Sequence, residues 1–287
     1  MSARGCIVTV WLGLFAFALA ARAAAPEATP ESLPGSEPHV YRALEPVPLR
    51  LHVFKPEGWD ASRPRAAFVF FFGGGWTTGT PARAGAAWAR VATEWGMVGI
   101  APDYRTRGRF GTSPLEAVAD GRAALRWVQE HAAELGVDPA RIVVGGNSAG
   151  GHVALWTGIG AAPPGSSADE SPVWRPAALV LTSAVSDTSL LSGYTPARFG
   201  ENAMALSPLH QLDDAVPPVL AFHGDADKTV PYAQAVALHE RLRAIGRESE
   251  LATVPGGSHS YANELPEWRD ETRERVREFL SALGLIE

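Results

Sequence analysis

The stretch Arg141-Ile-Val-Val-Gly-Gly-Asn-Ser-Ala-Gly-Gly-His152 decides the fold. Ile142, Val143 and Val144 form a short apolar run closed by glycines, the pattern of a strand buried on both faces. Residues 149–159 then read as a helix. Ser148 therefore stands on a tight strand-to-helix turn, inside the pentapeptide Gly146-Asn-Ser-Ala-Gly150. The flanking glycines are needed because such a turn strains the backbone and leaves no room for side chains beside it. The turn lifts the serine oxygen above the sheet, and the helix N-terminus behind it stabilises negative charge forming there. The pentapeptide alone would arise by chance roughly 0.2 times in a chain of this composition. Its strand–turn–helix setting is what gives it weight.

Outward from this turn, apolar strand-like runs alternate with amphipathic helix-like runs. Strands are expected at residues 49–54, 66–72, 97–101, 141–145, 177–181, 219–223 and 248–254, the first of them as an edge strand. Helices are expected at 114–135, 149–159, 232–245 and 267–283. In the first of these, Leu115, Val118, Ala119, Leu125 and Val128 fall near a 3.6-residue period, and Gly136 follows as a C-cap. Such alternation from residue 49 to residue 283 predicts one α/β domain: a mostly parallel central sheet with helices on both faces. Residues 161–176 and 186–206 break the rhythm and are rich in Gly, Pro and Ser. They read as binding or lid loops.

A serine hydroxyl is a poor nucleophile without a base. On this kind of turn the partners follow in the order serine, acid, histidine. His223-Gly-Asp-Ala-Asp-Lys-Thr-Val-Pro231 and Gly256-Gly-Ser-His-Ser260 both follow predicted strands, at the ends where ligand groups of an α/β sheet collect. His259 is the candidate base, since His239 belongs to a helix. Asp225 and Asp227 compete as the acid, because residues two apart in an extended segment cannot both face one imidazole. The other of the two would cap or close the turn. Further upstream, Phe72-Gly-Gly-Gly-Trp76 ends a strand. Its three glycines free the backbone to aim N–H groups inward, and the Ala149 amide adds another donor for an oxyanion. The alternative reading, a phosphate loop, lacks both a following Lys-Ser/Thr and a Gly-x-Gly-x-x-Gly spacing. No His-Glu-x-x-His or paired His–carboxylate cluster occurs, so no catalytic metal and no cofactor are expected.

The rest of the chain bounds these readings. Its 287 residues are 46% hydrophobic with a net charge of −6, which excludes a disordered chain and gives no basic footprint for nucleic acid. One cysteine, Cys6, excludes an intramolecular disulfide scaffold or a Cys-ligated structural zinc. Arg4, the apolar run 7–20 and Ala21-Arg-Ala23 read as a signal peptide with cleavage expected after Ala23, the run being short for a bilayer span; the alternative reading is an uncleaved membrane anchor. The expected domains are thus a signal peptide at 1–23, a linker at 24–48 and a catalytic domain at 49–287. The mature chain is expected to be secreted or periplasmic, free of cysteine and without a stable membrane anchor.

Together these residues resemble the α/β-hydrolase family. More narrowly, they resemble its carboxylesterase branches with a His-Gly-Gly-Gly-type oxyanion motif: hormone-sensitive-lipase-like esterases and bacterial feruloyl and acetylxylan esterases. The resemblance covers roughly residues 44–283. It rests on Gly73–Trp76, Pro102-Asp-Tyr-Arg105, Asp138-Pro-Ala-Arg-Ile142, Asn147–His152, the His223–Pro231 segment and His259. It implies Asp227 as the acid, Gly74, Gly75 and Ala149 as oxyanion donors, and a structural role for Asp103. The implied reaction is ester hydrolysis through an acyl-enzyme on Ser148, with a small-molecule or polysaccharide-linked acetyl or feruloyl ester as substrate. Two positions depart from the family pattern. Phe72 stands where the motif's first histidine is usual, and the histidine loop reads Gly-Gly-Ser-His-Ser rather than Gly-x-Gly-His. Trp76, Tyr194 and Phe199 are candidates for an acyl or aromatic pocket. Rival readings are a peptidase of prolyl-oligopeptidase type, which usually carries a large extra domain, and a non-enzymatic binding protein, which usually lacks a triad member.

Overall fold

The computed structural model describes residues 28–45, 47–165, 175–192 and 197–287. The expected signal segment and Tyr194 lie outside these described residues. Eight strands form the central sheet: β1 (Glu37–Arg42), β2 (Leu49–Phe54), β3 (Arg65–Phe71), β4 (Val98–Pro102), β5 (Val137–Asn147), β6 (Ala178–Thr182), β7 (Val219–Gly224) and β8 (Ser249–Val254). Their spatial order is β1-β2-β4-β3-β5-β6-β7-β8. Pairings β1–β2 and β2–β4 are antiparallel, and the other five are parallel. The helices are α1 (Ala84–Glu94), α2 (Arg107–Phe110), α3 (Pro114–Glu130), α4 (Ala132–Leu135), α5 (Ala149–Gly158), α6 (Pro208–Gln211), α7 (Ala233–Ala244), α8 (Tyr261–Glu264) and α9 (Pro266–Ala282). This is the α/β architecture that the alternation predicts.

Strand β3 shows why its sequence has no polar break. Ala67, Val69 and Phe71 point into a core shared with α3, α5 and α7, while Ala66, Phe68 and Phe70 point into a second core shared with α1 and α9. Both faces of the strand are covered, so both sets of alternating residues are apolar. Packing on this scale is the main stabilising term of the domain, at about 1.5–3 kcal/mol for each large apolar side chain fully removed from water.

Three expectations change at this level. β2 is not an edge strand, because β1, formed within the stretch read as a linker, pairs outside it. β1 carries Pro38, which a sheet edge tolerates because one row of its N–H groups needs no partner. Arg42 of β1 reaches the buried Asp120 of α3 at 2.9 Å, and the Tyr41 hydroxyl donates to the Asp103 carbonyl at 2.7 Å. The single helix expected over 114–135 is divided between α3 and α4 at His131. There His131 leaves helical geometry at φ −103°, ψ 14°, while its ring stacks on Trp127 and its Nδ1 reaches the Trp127 carbonyl, which also accepts the His131 N–H. α3 itself starts on a full capping box, Ser113 with Glu116, behind Pro114. α1 comes without a sequence signal. Its run is rich in alanine, and no side chain caps its start.

Candidate active site

At the carboxyl end of β5, Ser148 takes φ 53°, ψ −121°, a conformation that side chains rarely adopt. The chain around it has no space to relax. A Cβ at Gly146 would lie 2.3 Å from the Gly150 carbonyl oxygen, and one at Gly150 would lie 2.2 Å from that of Phe71. Both glycines of the pentapeptide are therefore required by backbone contact. The Ser148 N–H donates to the Thr182 carbonyl at 3.0 Å, which ties the turn to the end of β6.

Ser148 Oγ lies 3.0 Å from His259 Nε2, and His259 Nδ1 lies 2.7 Å from Asp227 Oδ2. The two imidazole nitrogens thus join the hydroxyl to the carboxylate. With Nδ1–H donating to Asp227, Nε2 is left to accept the hydroxyl proton. The other oxygen of Asp227, Oδ1, accepts the backbone N–H groups of Thr229 and Val230 at 2.8 and 2.9 Å. Burial alone would raise the Asp227 pKa. Hydrogen bonds from His223, His259 and the Val230 amide outweigh it and hold the carboxyl well below its ordinary range. Asp227 is therefore a carboxylate whenever the protein is folded near neutrality.

The competing Asp225 takes the other role. Its Oδ1 accepts the Gly256 N–H at 2.6 Å and so closes the histidine loop against the acid loop. The two loops also meet at Gly224, where a Cβ would lie 2.0 Å from the Gly257 carbonyl oxygen, and the Ala226 N–H donates to that same oxygen.

The oxyanion loop abuts the serine turn. A Cβ on Gly73 would lie 2.6 Å from the Asn147 side-chain nitrogen. Gly74, Gly75 and Trp76 follow with φ 129°, 58° and 58°. Among the described residues, no acceptor takes the N–H of Gly74 or Gly75. They stand uncommitted on the loop that abuts the serine turn. Phe72, at the position of the family's histidine, is well anchored. Its ring stacks on Tyr104 at 4.1 Å, and its carbonyl accepts the Tyr104 hydroxyl at 2.7 Å. Asp103, beside Tyr104, is fully buried and paired with Arg109 at 2.6 Å, far from a catalytic role.

Trp76 and Phe199 do not form an open wall. They are 2% and 3% exposed and pack edge to face at 4.8 Å, with His152 of α5 as the third ring. The His152 Nε2–H donates to the Leu206 carbonyl, and the Trp156 indole donates to the same oxygen. This cluster fastens residues 197–206 to the helix behind Ser148.

Sequence reasoning misses two partners of the site. Arg198 spans back to the oxyanion loop, donating to the Gly75 carbonyl and to Thr77 Oγ1 and lying over the Trp76 ring. Nothing in its sequence surroundings marks it. His223 is buried with Nε2 3.2 Å from Asp227 Oδ2 and 2.9 Å from the Val230 carbonyl. Its position four residues before Asp227 is the signal that could have found it.

A strained serine at a strand end, joined through a histidine to a buried carboxylate, is the arrangement of a serine hydrolase. Comparison with known proteins agrees. Residues 68–263 match the model of a family described as having the alpha/beta hydrolase fold. Carboxylesterase NlhH of Mycobacterium tuberculosis is 30% identical over 264 residues, covering 83% of this chain and 78% of that protein. Esterase 2 of Thermogutta terrifontis, solved with butyrate bound, superposes with a TM-score of 0.80 at 35% identity, covering 88% of this chain and 96% of the other. The same esterase phosphorylated by paraoxon superposes equally well, at 35% identity over 89% of this chain and 96% of that one. The chain belongs to the α/β-hydrolase family, within its carboxylesterase branch. Among the described residues no helix is long and apolar enough to cross a membrane.

Proposed function

We propose that the protein hydrolyses short-chain carboxylic esters through an acyl-enzyme on Ser148, with His259 as base and Asp227 as acid. The observation that carries this reading is the hydrogen-bond chain from Ser148 Oγ to His259 to Asp227, at 3.0 and 2.7 Å. Ser148 Oγ attacks the ester carbonyl carbon as its proton passes to His259 Nε2. Asp227 holds the Nδ1–H tautomer and stabilises the imidazolium. The N–H groups of Gly74, Gly75 and Ala149 hold the oxyanion, each contributing about 3 kcal/mol to the transition state. The acyl–oxygen bond then breaks, and His259 gives its proton to the departing alkoxide. Water, deprotonated by the same imidazole, attacks the acyl-serine and releases the acid and free Ser148.

A short acyl group is supported by the similar esterase solved with butyrate and with propionate bound. The rings of Trp76 and Phe199, closed on each other, leave no long apolar channel at that wall. The reading also includes export of the chain with residues 1–23 removed, on the strength of the charged start, apolar run and Ala21-Arg-Ala23.

The test is kcat/KM on acetyl, butyryl, octanoyl and feruloyl esters, with Ser148→Ala alongside. Highest values on acetyl or butyryl esters, and at least a thousand-fold loss in the variant, are expected. Octanoyl or feruloyl preference would overturn the acyl assignment. Faster turnover of aminoacyl nitroanilides than of esters would favour a peptidase. A Ser148→Ala enzyme within a few-fold of the parent would overturn the mechanism.

A further inference from the structure

A cavity of about 240 Å³ opens at the carboxyl ends of β5 and β6, between α1 and α9. Trp88 lines one side, Asn147 and Ser183 the strand ends, and Arg269 and Arg273 the opposite side, while His259 closes it toward Ser148. Two of its features have a chemical meaning.

The first is the shared histidine. His259 bounds this cavity and also stands 3.0 Å from Ser148 Oγ. In acyl transfer the histidine protonates the departing alkoxide, so the alcohol half of the ester leaves against His259, while the carbonyl oxygen lies on the opposite side with the oxyanion amides. Neither Ser148 nor the oxyanion glycines line the cavity; His259 is the residue it shares with the site, and the alcohol leaves against that residue.

The second is charge. The lining holds two guanidinium groups and no carboxylate, in a chain with 31 acidic and 25 basic residues. Arg269 and Arg273 are four apart on α9 and so share one face of the helix. Arg269 Nε is 3.1 Å from Asp270, but both side chains are exposed, and such a pair is weak. Arg273 makes no ion pair among the described residues. Arginine's planar fork matches a carboxylate.

We propose that this cavity is the alcohol subsite and that it favours esters whose alcohol carries a carboxylate, that is, acyl esters of hydroxy acids. The proposal rests on the hydrolase reading above. It adds no co-reactant: the acyl–oxygen bond breaks as before, and the hydroxy acid leaves with the proton from His259.

The experiment compares 4-acetoxybenzoate with 4-acetoxybenzamide, which share acyl group and shape and differ in charge. Each kcat/KM is divided by the ester's own rate of hydroxide hydrolysis. The wild type should favour the anion by about five-fold at low salt, the upper range for a partly exposed charge pair, and less at high salt. Arg273→Gln should bring the ratio near one, and the Arg269→Gln/Arg273→Gln double variant should bring it below one. Arg277→Gln, one turn further along α9 and outside the cavity lining, should keep the wild-type ratio. A wild-type ratio of one or less overturns the subsite, as does an Arg277→Gln ratio that falls as far as that of Arg273→Gln. An enzyme that splits neither ester overturns the hydrolase reading together with the subsite. One that splits both without charge preference overturns the subsite alone.

Discussion

Replacing Asp227 by Asn keeps the shape of the side chain and changes its hydrogen-bond grammar. Oδ1 of Asp227 accepts two backbone N–H groups, from Thr229 and Val230. An amide NH₂ cannot face two donors, so the Asn oxygen must take that position. Its nitrogen then faces His259 Nδ1, at the 2.7 Å now occupied by an accepting oxygen. The amide donates to Nδ1, and the imidazole proton is forced to Nε2. That nitrogen stands 3.0 Å from Ser148 Oγ and can no longer accept the serine proton. The same NH₂ meets His223 Nε2, a donor to the Val230 carbonyl, at 3.2 Å, and rotating the amide would only exchange that mismatch for two donors, the Thr229 and Val230 N–H groups. The expected loss is that of a wrong tautomer in an intact site, about 10⁴-fold in kcat/KM, or about 5 kcal/mol of barrier. The assay is hydrolysis of 4-nitrophenyl butyrate from pH 6 to pH 10, with labelling of Ser148 by a fluorophosphonate and circular dichroism as controls. The gap should narrow at high pH, where hydroxide replaces the base. Asp225→Asn, which disturbs the contact to Gly256, should stay within five-fold of the parent. Folded Asp227→Asn within a hundred-fold of the parent at pH 7 would refute the reasoning.

Other perturbations test other links. Ser148→Gly removes a side chain from a backbone conformation costing about 1–3 kcal/mol, so despite glycine's greater unfolded entropy Tm should rise by about 2–4 °C while activity disappears; calorimetry showing an unchanged or lower Tm refutes the strain. Gly150→Ala sets a methyl 2.2 Å from the Phe71 carbonyl oxygen and should lose more than about 3 kcal/mol in urea unfolding, and near-parent stability would contradict the packing. Arg198→Ala frees the Gly75 carbonyl and should lower kcat about ten-fold with little change in KM, Arg198→Lys recovering part of it; an effect confined to KM would mean that Arg198 does not position the oxyanion loop. Burial pushes His152 and His52 down to about 4, against opposing effects from the Leu206 carbonyl and Asp103, while unfolded histidine titrates near 6.5. Below pH 6.5 the unfolded chain therefore binds more protons, and stability should fall steadily from about pH 6.5 to pH 4; a flat Tm across that window would show that these rings are not neutral when folded.

Much of this architecture is legible in sequence because burial on both sheet faces writes itself as unbroken apolar runs. β3, β4, β6 and β7 are of this kind, as is the 142–146 stretch of β5. β1 is not, since an edge strand half in water mixes Glu, Pro, His and Arg with its apolar positions. α1 hides for another reason: Arg83 at its start offers no capping side chain, so nothing marks where the helix begins. At the site, the residues bound to a rigid turn are the readable ones. Ser148, Asp227 and His259 each follow a strand end, and glycines mark where backbones must touch. Asp225 and Asp227 cannot be separated by spacing alone; that depends on which one the histidine loop grasps at Gly256. Arg198 is silent in sequence because its contact with Gly75 spans 123 positions and depends on how residues 197–206 dock on α5.

The contact between Gly224 and Gly257 has a mechanical consequence. The acid loop and the histidine loop, closed on each other there and through Asp225, move as one piece carried by β7 and β8. The serine rides on β5 with α5, two strands away across β6, which pairs with both β5 and β7 and is followed by Ser183, whose Oγ donates to the His259 carbonyl at 3.3 Å. Strain in the domain, thermal or mutational, is therefore absorbed in the gap between serine and imidazole, while the spacing of imidazole and carboxylate is preserved. Substitutions far out along β6, which carries Ser183 at its end, are then the ones that tune nucleophile alignment without touching a catalytic group.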